Sequence, residues 1–212
     1  MATRSGASIG AAGTREPLLG VAGFGYDEHR CLQDLGYASK NWDAAQRPAE
    51  VETKEEAGHG EGDLILGLRC RSAMMILRER KTQYGIVVNL PVDHTAESVN
   101  AAATLAFASL PPHLTRTLTW DQGTEMARHQ DLATTTGVDI YFAERCSPWQ
   151  RGANENYNGL LRQYFPKGTD LSVHSKTHVA SIMRELNNRP RKGLDYDTPA
   201  ARMRAEIYRP TP

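Results

Sequence analysis

The sequence has few cysteines and no pair of them at metal-binding spacing. The three present, Cys31, Cys70 and Cys146, fit neither a disulfide framework nor a thiolate zinc site, so a reducing cytoplasm is expected. No apolar run approaches the ~20 residues that cross a bilayer. No secretory signal begins the chain. These absences predict a soluble globular protein and no membrane partner.

An excess of charge of one sign is also missing, since 25 Lys and Arg residues balance 25 Asp and Glu residues. The average hides an asymmetry. Residues 1–68 hold six basic and eleven acidic residues, whereas residues 145–192 hold nine basic and three acidic ones. The basic block either attracts phosphates by charge or is a solvated face, and composition alone leaves both readings open.

Three regions differ in composition. Residues 1–45 contain many glycines and few large apolar side chains, so they are expected to be poorly structured. Residues 46–60 include an acidic stretch and are expected to form a linker. Residues 61–205 carry regular apolar patterns and are expected to form one folded core.

The core pattern predicts an α/β fold with a mixed sheet flanked by helices, compatible with a ribonuclease-H-like arrangement. Short apolar runs with breaks between them indicate an antiparallel meander, and strands alternating with helices follow it. The predicted strands span residues 63–68, 73–80, 84–90, 114–120 and 138–142. The predicted helices span residues 96–110, 124–134, 153–164 and 176–187, the first of them capped by Thr95.

Three acidic residues occupy positions typical of chemistry in such a fold. Asp63 lies early in the first strand, Asp121 ends the fourth, and Glu155 lies in the first turn of a helix. We expect them to converge at one edge of the sheet. Convergent carboxylates suit Mg²⁺, and two such ions can drive in-line phosphoryl displacement without a covalent intermediate.

Spacing alone leaves simpler readings open. An Asp at a strand end is often a turn residue, and the helix dipole alone favours a glutamate at the position of Glu155. Glu61 shares a strand face with Asp63 and is an alternative first ligand. Glu125, one helical turn past Asp121, is expected to be a surface residue.

The residues that flank these acids are more specific. The stretches Gly58-His-Gly-Glu-Gly-Asp-Leu-Ile-Leu-Gly67 and Thr119-Trp-Asp-Gln-Gly-Thr-Glu-Met126 resemble the first two acid motifs of bacterial insertion-sequence transposases of the family numbered thirty. The long run from Ser147 to Asp170 resembles the third motif, and 33 residues separate Asp121 from Glu155, as expected of this group. The resemblance covers roughly residues 47–203.

The resemblance implies a retroviral-integrase-like core with a metal-binding triad of Asp63, Asp121 and Glu155. It implies Mg²⁺, with Mn²⁺ as a substitute, and cleavage at insertion-sequence ends followed by strand transfer into target DNA. It further implies a homo-oligomer, because two element ends must be joined, and a bacterial, nucleoid-associated location in the cytoplasm.

The chain departs from the family pattern twice. Gly60 stands where the family usually has Trp, and loss of a bracing ring there is expected to loosen the site. Residues 1–45 lack the two-helix pattern of the family's DNA-reading region. A truncated, non-catalytic remnant that binds DNA or full-length transposase is therefore an alternative, as is a general ribonuclease-H-like nuclease.

Six residues near the third acid are candidate DNA contacts. Trp149 either stacks on a base or caps the core, and Arg162 either meets a phosphate or forms a surface ion pair. Gln150 and Asn154 either bond DNA or orient Glu155, or they simply cap the helix, whereas Arg151 and Lys167 flank the helix where they can touch phosphates. The candidates are Trp149, Gln150, Arg151, Asn154, Arg162 and Lys167.

Overall fold

A computed structural model describes residues 44–143 and 152–209. Five strands form one mixed sheet in the order β3-β2-β1-β4-β5. β1 pairs antiparallel with β2 and parallel with β4, β2 pairs antiparallel with β3, and β4 pairs parallel with β5. The strands are β1 (His59–Leu66), β2 (Ala73–Glu79), β3 (Gly85–Leu90), β4 (Thr117–Trp120) and β5 (Asp139–Phe142).

Helices cover both faces of the sheet. Ala and Val side chains of α2 and Leu132 of α3 pack on one face, whereas Tyr157 and Leu161 of α4 and Val179 of α5 pack on the other. The predicted α/β fold is confirmed. The helices are α1 (Ala49–Thr53), α2 (Ala96–Ala108), α3 (His129–Thr136), α4 (Gly152–Leu161), α5 (Lys176–Asn187) and α6 (Pro199–Ile207).

Strand alternation assigns each side chain of β1 and β2 to one face. Met75 packs towards α2 and Met74 towards α4, and both are fully buried. On β1, Gly62 faces the Trp120 ring, whereas Asp63 faces Asn158 of α4. One face of β1 therefore packs glycine and leucine residues against the core under α2, and the other face carries Glu61 and Asp63.

Part of the segment expected to be a linker is structured. α1 buries Val51 completely, and Arg47 donates to the hydroxyl of Thr119 in β4 at 3.0 Å. Glu52 pairs with Arg47 and with Arg80, the residue that follows β2. α6 also lies beyond the predicted helices, begins with Pro199 after the capping residue Thr198, and buries Met203. The predicted division into domains otherwise stays a prediction, and residues 1–43 lie outside the described part of the chain.

No helix among residues 44–143 and 152–209 is long and apolar enough to cross a membrane.

Two glycines of β1 on the same face offer a matched test of packing. A Cβ on Gly60 would meet Leu118 Cδ1 at 3.6 Å, an ordinary contact beside an apolar cavity of about 30 Å³. A Cβ on Gly62 would lie 1.8 Å from Trp120 Cε3, so the ring would have to move.

We therefore expect Gly60→Ala to raise the free energy of unfolding by ~0.4–1 kcal/mol, because the unfolded chain loses freedom and the fold accepts the methyl group. Gly62→Ala is expected to lower it by ~1–3 kcal/mol through overpacking. Urea denaturation followed by circular dichroism measures both. Equal stabilities for the two variants would contradict the packing described here.

Candidate active site

Asp63 lies on β1 and is fixed by two hydrogen bonds. Its Oδ1 accepts from the backbone N–H of Leu64 at 2.9 Å, and its Oδ2 accepts from the Asn158 amide of α4 at 2.7 Å. The side chain is half-buried, so it remains within reach of solvent. The second bond joins the strand that carries the first acid to the helix that carries Glu155.

Asp121 follows the last residue of β4 and is exposed. Its Oδ1 accepts from the backbone N–H of Gln122 at 2.8 Å, and the Gln122 amide donates to the carbonyl of Ala143 at 3.2 Å. Because β1 and β4 are parallel neighbours with Glu61 opposite Thr119, Asp63 within β1 and Asp121 just after β4 each lie two residues past this last pair. The structure thus brings these two predicted acids side by side on neighbouring strands in the middle of the sheet.

Glu155 lies in the first turn of α4 and is exposed. Tyr157 and Leu161 of the same helix are buried, and Gly85 leaves room for the Tyr157 hydroxyl, since a Cβ there would lie 2.2 Å from it. The buried residues fix the helix against the sheet and leave Glu155 on its open side. Within the described ranges, no three His, Cys, Asp or Glu side chains form a ready-made metal cluster.

The donor chemistry nevertheless suits a hard divalent cation. Asp63, Asp121 and Glu155 offer carboxylate oxygens that solvent can reach, and hard oxygen ligands are those that Mg²⁺ prefers. Asp63 is additionally oriented by Asn158, as ligands of metal sites usually are by a neighbouring hydrogen bond.

Glu61, the alternative first ligand, is buried in the interior. It is 2% exposed, and its Oε1 accepts from Arg80 at 2.7 Å. Burial raises the pKa of the Glu61 carboxyl, while Arg80 and then Arg78 oppose that rise and the backbone N–H of Asn154 adds to their effect. Glu61 therefore lies between β2 and the first turn of α4, on the same face as Asp63.

Glu125 is not the surface residue expected from its position. Residues Thr124–Met126 form a short 3-10 helix, and the Glu125 carboxylate accepts from the Trp120 indole N–H at 3.1 Å. Burial raises the pKa of Glu125, and the negative charges of Asp121 and Asp63 add to the rise. A fourth carboxylate therefore lies close to two of the predicted acids, which sequence spacing alone does not reveal.

Curated relatives match this core. The chain is 48% identical over 165 residues to the transposase of element IS1086 from Cupriavidus metallidurans, covering 78% of this chain and 48% of that protein. It is 46% identical over 154 residues to the InsI transposase of IS30A from Escherichia coli, covering 73% and 40%. The IS4351 transposase of Bacteroides fragilis matches at 38% over 164 residues, covering 77% and 50%.

The chain is a relative of the IS30-family transposases. This confirms the recognition made from the three acid motifs. The chain spans about half the length of the curated relatives it matches. No protein-family model matches it.

Solved structures support the fold of this IS30-family relative. A chain of the simian T-cell lymphotropic virus intasome, solved with PP2A regulatory subunit B56 gamma, superposes with a TM-score of 0.58 at 15% identity, covering 74% of this chain and 58% of that one. The catalytic core domain of BIV integrase gives 0.52 at 15% identity, covering 69% and 93%. The integrase-like, ribonuclease-H-like fold is thereby confirmed.

The candidate DNA contacts of this IS30-family relative fall into four groups, the last of which is Arg162. Trp149, Gln150 and Arg151 lie outside the described residues. The side chain of Asn154 is fully buried, and neither its amide nitrogen nor its oxygen has a hydrogen-bond partner among the described residues. Lys167 is exposed. The predicted roles of these residues in DNA binding stay predictions.

Arg162 forms hydrogen bonds to two backbone carbonyls of the protein itself. Its guanidinium donates to the carbonyl of Leu66, the last residue of β1, at 3.1 Å, and to the carbonyl of Phe165 at 3.4 Å. Burial lowers the pKa of this group. The geometry gives Arg162 a structural role at the end of β1, and its predicted phosphate contact stays a prediction.

We expect Arg162→Met to lower the free energy of unfolding by ~1–3 kcal/mol, because two partly buried carbonyls lose a charged donor. Lys167→Met, at an exposed neighbouring position, is expected to change it by less than ~0.5 kcal/mol. Urea denaturation measures both. If Arg162→Met is as stable as the parent and instead weakens DNA binding with a smaller salt dependence, the phosphate contact is the better reading.

The Asn158 bond to Asp63 offers a second test. Asn158→Ala is expected to weaken Mn²⁺ binding by ~10–100-fold, because Asp63 loses the donor that orients it. Asn156→Ala is the matched control, since this neighbouring amide on the same helix is exposed. Isothermal titration calorimetry of both variants measures the effect, and equal affinities would refute a metal-orienting role for Asn158.

Proposed function

We propose that this chain cleaves DNA at insertion-sequence ends and transfers the strand ends into target DNA, as a metal-dependent transposase. The observation that carries the proposal is the pair Asp63 and Asp121 side by side on the parallel strands β1 and β4, with α4, the helix of Glu155, bonded to Asp63 through Asn158. The three curated relatives, all transposases of insertion-sequence elements, support the same chemistry.

Asp63, Asp121 and Glu155 would hold the divalent metal, Mg²⁺ with Mn²⁺ as a substitute. When bound, such ions activate an attacking hydroxyl and stabilise the leaving oxygen in an in-line displacement. The chain's own contribution is orientation. Asn158 fixes one carboxylate oxygen of Asp63, and the backbone N–H of Gln122 fixes one of Asp121, so each acid keeps a defined direction while the edge stays open to solvent.

DNA ends and target DNA are the proposed substrates, and a homo-oligomer is the proposed assembly, because two element ends must be joined together. The basic block of residues 145–192, with nine Lys and Arg against three Asp and Glu, supplies charge that suits phosphates. Two of these basic residues have partners within the protein, since Arg162 and Arg191 donate hydrogen bonds to backbone carbonyls.

The test is an assay of purified protein on labelled duplex carrying the element's ends, with Mg²⁺ or Mn²⁺. Nicked and joined products are expected from the parent protein. Asp121→Asn, which keeps the shape of the side chain but removes its charge, is expected to reduce both products by at least ~100-fold, the scale of a lost charge-stabilising group.

Each other outcome has a meaning. Nicking without joining would indicate a nuclease rather than a transposase. No product from the parent protein, together with mixed oligomers formed with a full-length transposase, would support the non-catalytic remnant instead.

A further inference from the structure

The loop after β4 turns back on the strand that precedes it. The Glu125 carboxylate accepts from the Trp120 indole N–H at 3.1 Å and lies directly over Gly123. A Cβ on Gly123 would lie 2.1 Å from Glu125 Oε2, so only glycine leaves space for the carboxylate at this point. The Glu125 side chain therefore closes the turn between Asp121 and Met126.

The other side of the Trp120 ring rests on β1. The ring is fully buried, and a Cβ on Gly62 would lie 1.8 Å from its Cε3 and 2.0 Å from its Cζ3. Gly62 directly precedes Asp63, and Trp120 directly precedes Asp121. The Trp120 ring thus contacts the backbone of the residue before Asp63, and Trp120 is itself the residue before Asp121.

Glu125 also lies within the electrostatic reach of both acids. The charges of Asp121 and of Asp63 each act on its carboxyl, in addition to the effect of its burial. An ordinary surface glutamate would turn to water and avoid two neighbouring negative charges. Two donors hold it in this inward position, its own backbone N–H and the Trp120 indole N–H, and the indole is the one that joins it to another residue.

We propose that Glu125 is a positioning residue that fixes the separation of Asp63 and Asp121 by holding the Trp120 ring against Gly62. The proposal rests on the proposed function, since it assumes that the two acids bind the metal. It assigns Glu125 no direct bond to the metal or to DNA. Its effect passes through the indole, so what matters is a hydrogen-bond acceptor at this position rather than a negative charge.

Two variants separate an acceptor from a charge. Glu125→Gln keeps a carbonyl oxygen for the indole N–H and nearly the same volume, whereas Glu125→Ala removes both. Glu55→Ala, which removes an exposed acidic side chain far along the chain, controls for the loss of one negative charge. Asp121→Asn reports on the metal site itself.

Mn²⁺ titration of the full 212-residue chain by isothermal titration calorimetry is the readout, with circular dichroism to establish that each variant is folded. Glu125→Ala is expected to weaken Mn²⁺ binding by ~10-fold or more, the scale of a lost supporting interaction at a metal site. Glu125→Gln is expected to recover most of that loss, to within ~3-fold of the parent.

The outcomes distinguish this inference from the proposed function. If the parent protein binds Mn²⁺ in an Asp121-dependent way and Glu125→Ala binds it equally well, the positioning role is refuted and the proposed function stands. Glu125→Gln as weak as Glu125→Ala, with both variants folded, would show that the charge matters and would also refute it. If the parent shows no Asp121-dependent binding, the proposed function itself fails, and this inference fails with it.

Discussion

The contact between Gly62 and the Trp120 ring is the constraint on which the rest of the site depends. The backbone ladder between β1 and β4 sets the distance between these strands, and beyond its last pair the Trp120 ring lies over Gly62, next to the residues that carry the two acids. The Trp120 ring on β4 requires a glycine at residue 62 of β1, because a close-packed interior has no room for a side chain there as well. Since successive residues of a strand face opposite ways, the same requirement that buries the ring turns Asp63 towards α4.

α4 completes the arrangement from the opposite face. Its inward residues recur at helical spacing. Asn154 is buried, Tyr157 packs on Gly85, Asn158 bonds Asp63, and Leu161 packs in the core between the sheet and α5. Glu155 lies outside this stripe and is exposed for that reason. The helix therefore exposes Glu155 to solvent, while Asn158 of the same helix bonds Asp63 on β1. The buried ion pair of Glu61 and Arg80 lies on the same face of the sheet.

Local patterns in the sequence were sufficient where the structure is local. The helix over residues 176–187 has the predicted bounds, Thr95 caps α2 through the Ser98 N–H, and Met74 and Met75 are core residues of a strand. Patterns failed where a distant contact decides. The helix predicted over residues 124–134 divides into a 3-10 turn and α3, because Glu125 turns back to the indole of Trp120. α1 was missed because it is short and has no apolar stripe: Val51 is its one buried residue, and Glu52 forms an ion pair with Arg80, just after β2.

Strand alternation also limits the effect of the departure at Gly60. Gly60 and Gly62 share a face, so a Trp at the first position would enter the layer that already contains Trp120 and would border the cavity lined by Phe107, Leu118 and Met203. The acids lie on the other face, where Asn158 and Arg80 hold Asp63 and Glu61. Loss of a ring at residue 60 therefore thins the packing between the sheet, α2 and α6. The hydrogen bonds that orient Asp63 lie outside that layer. A missing ring at residue 60 therefore lowers the stability of the core more than it disturbs the geometry of the acids.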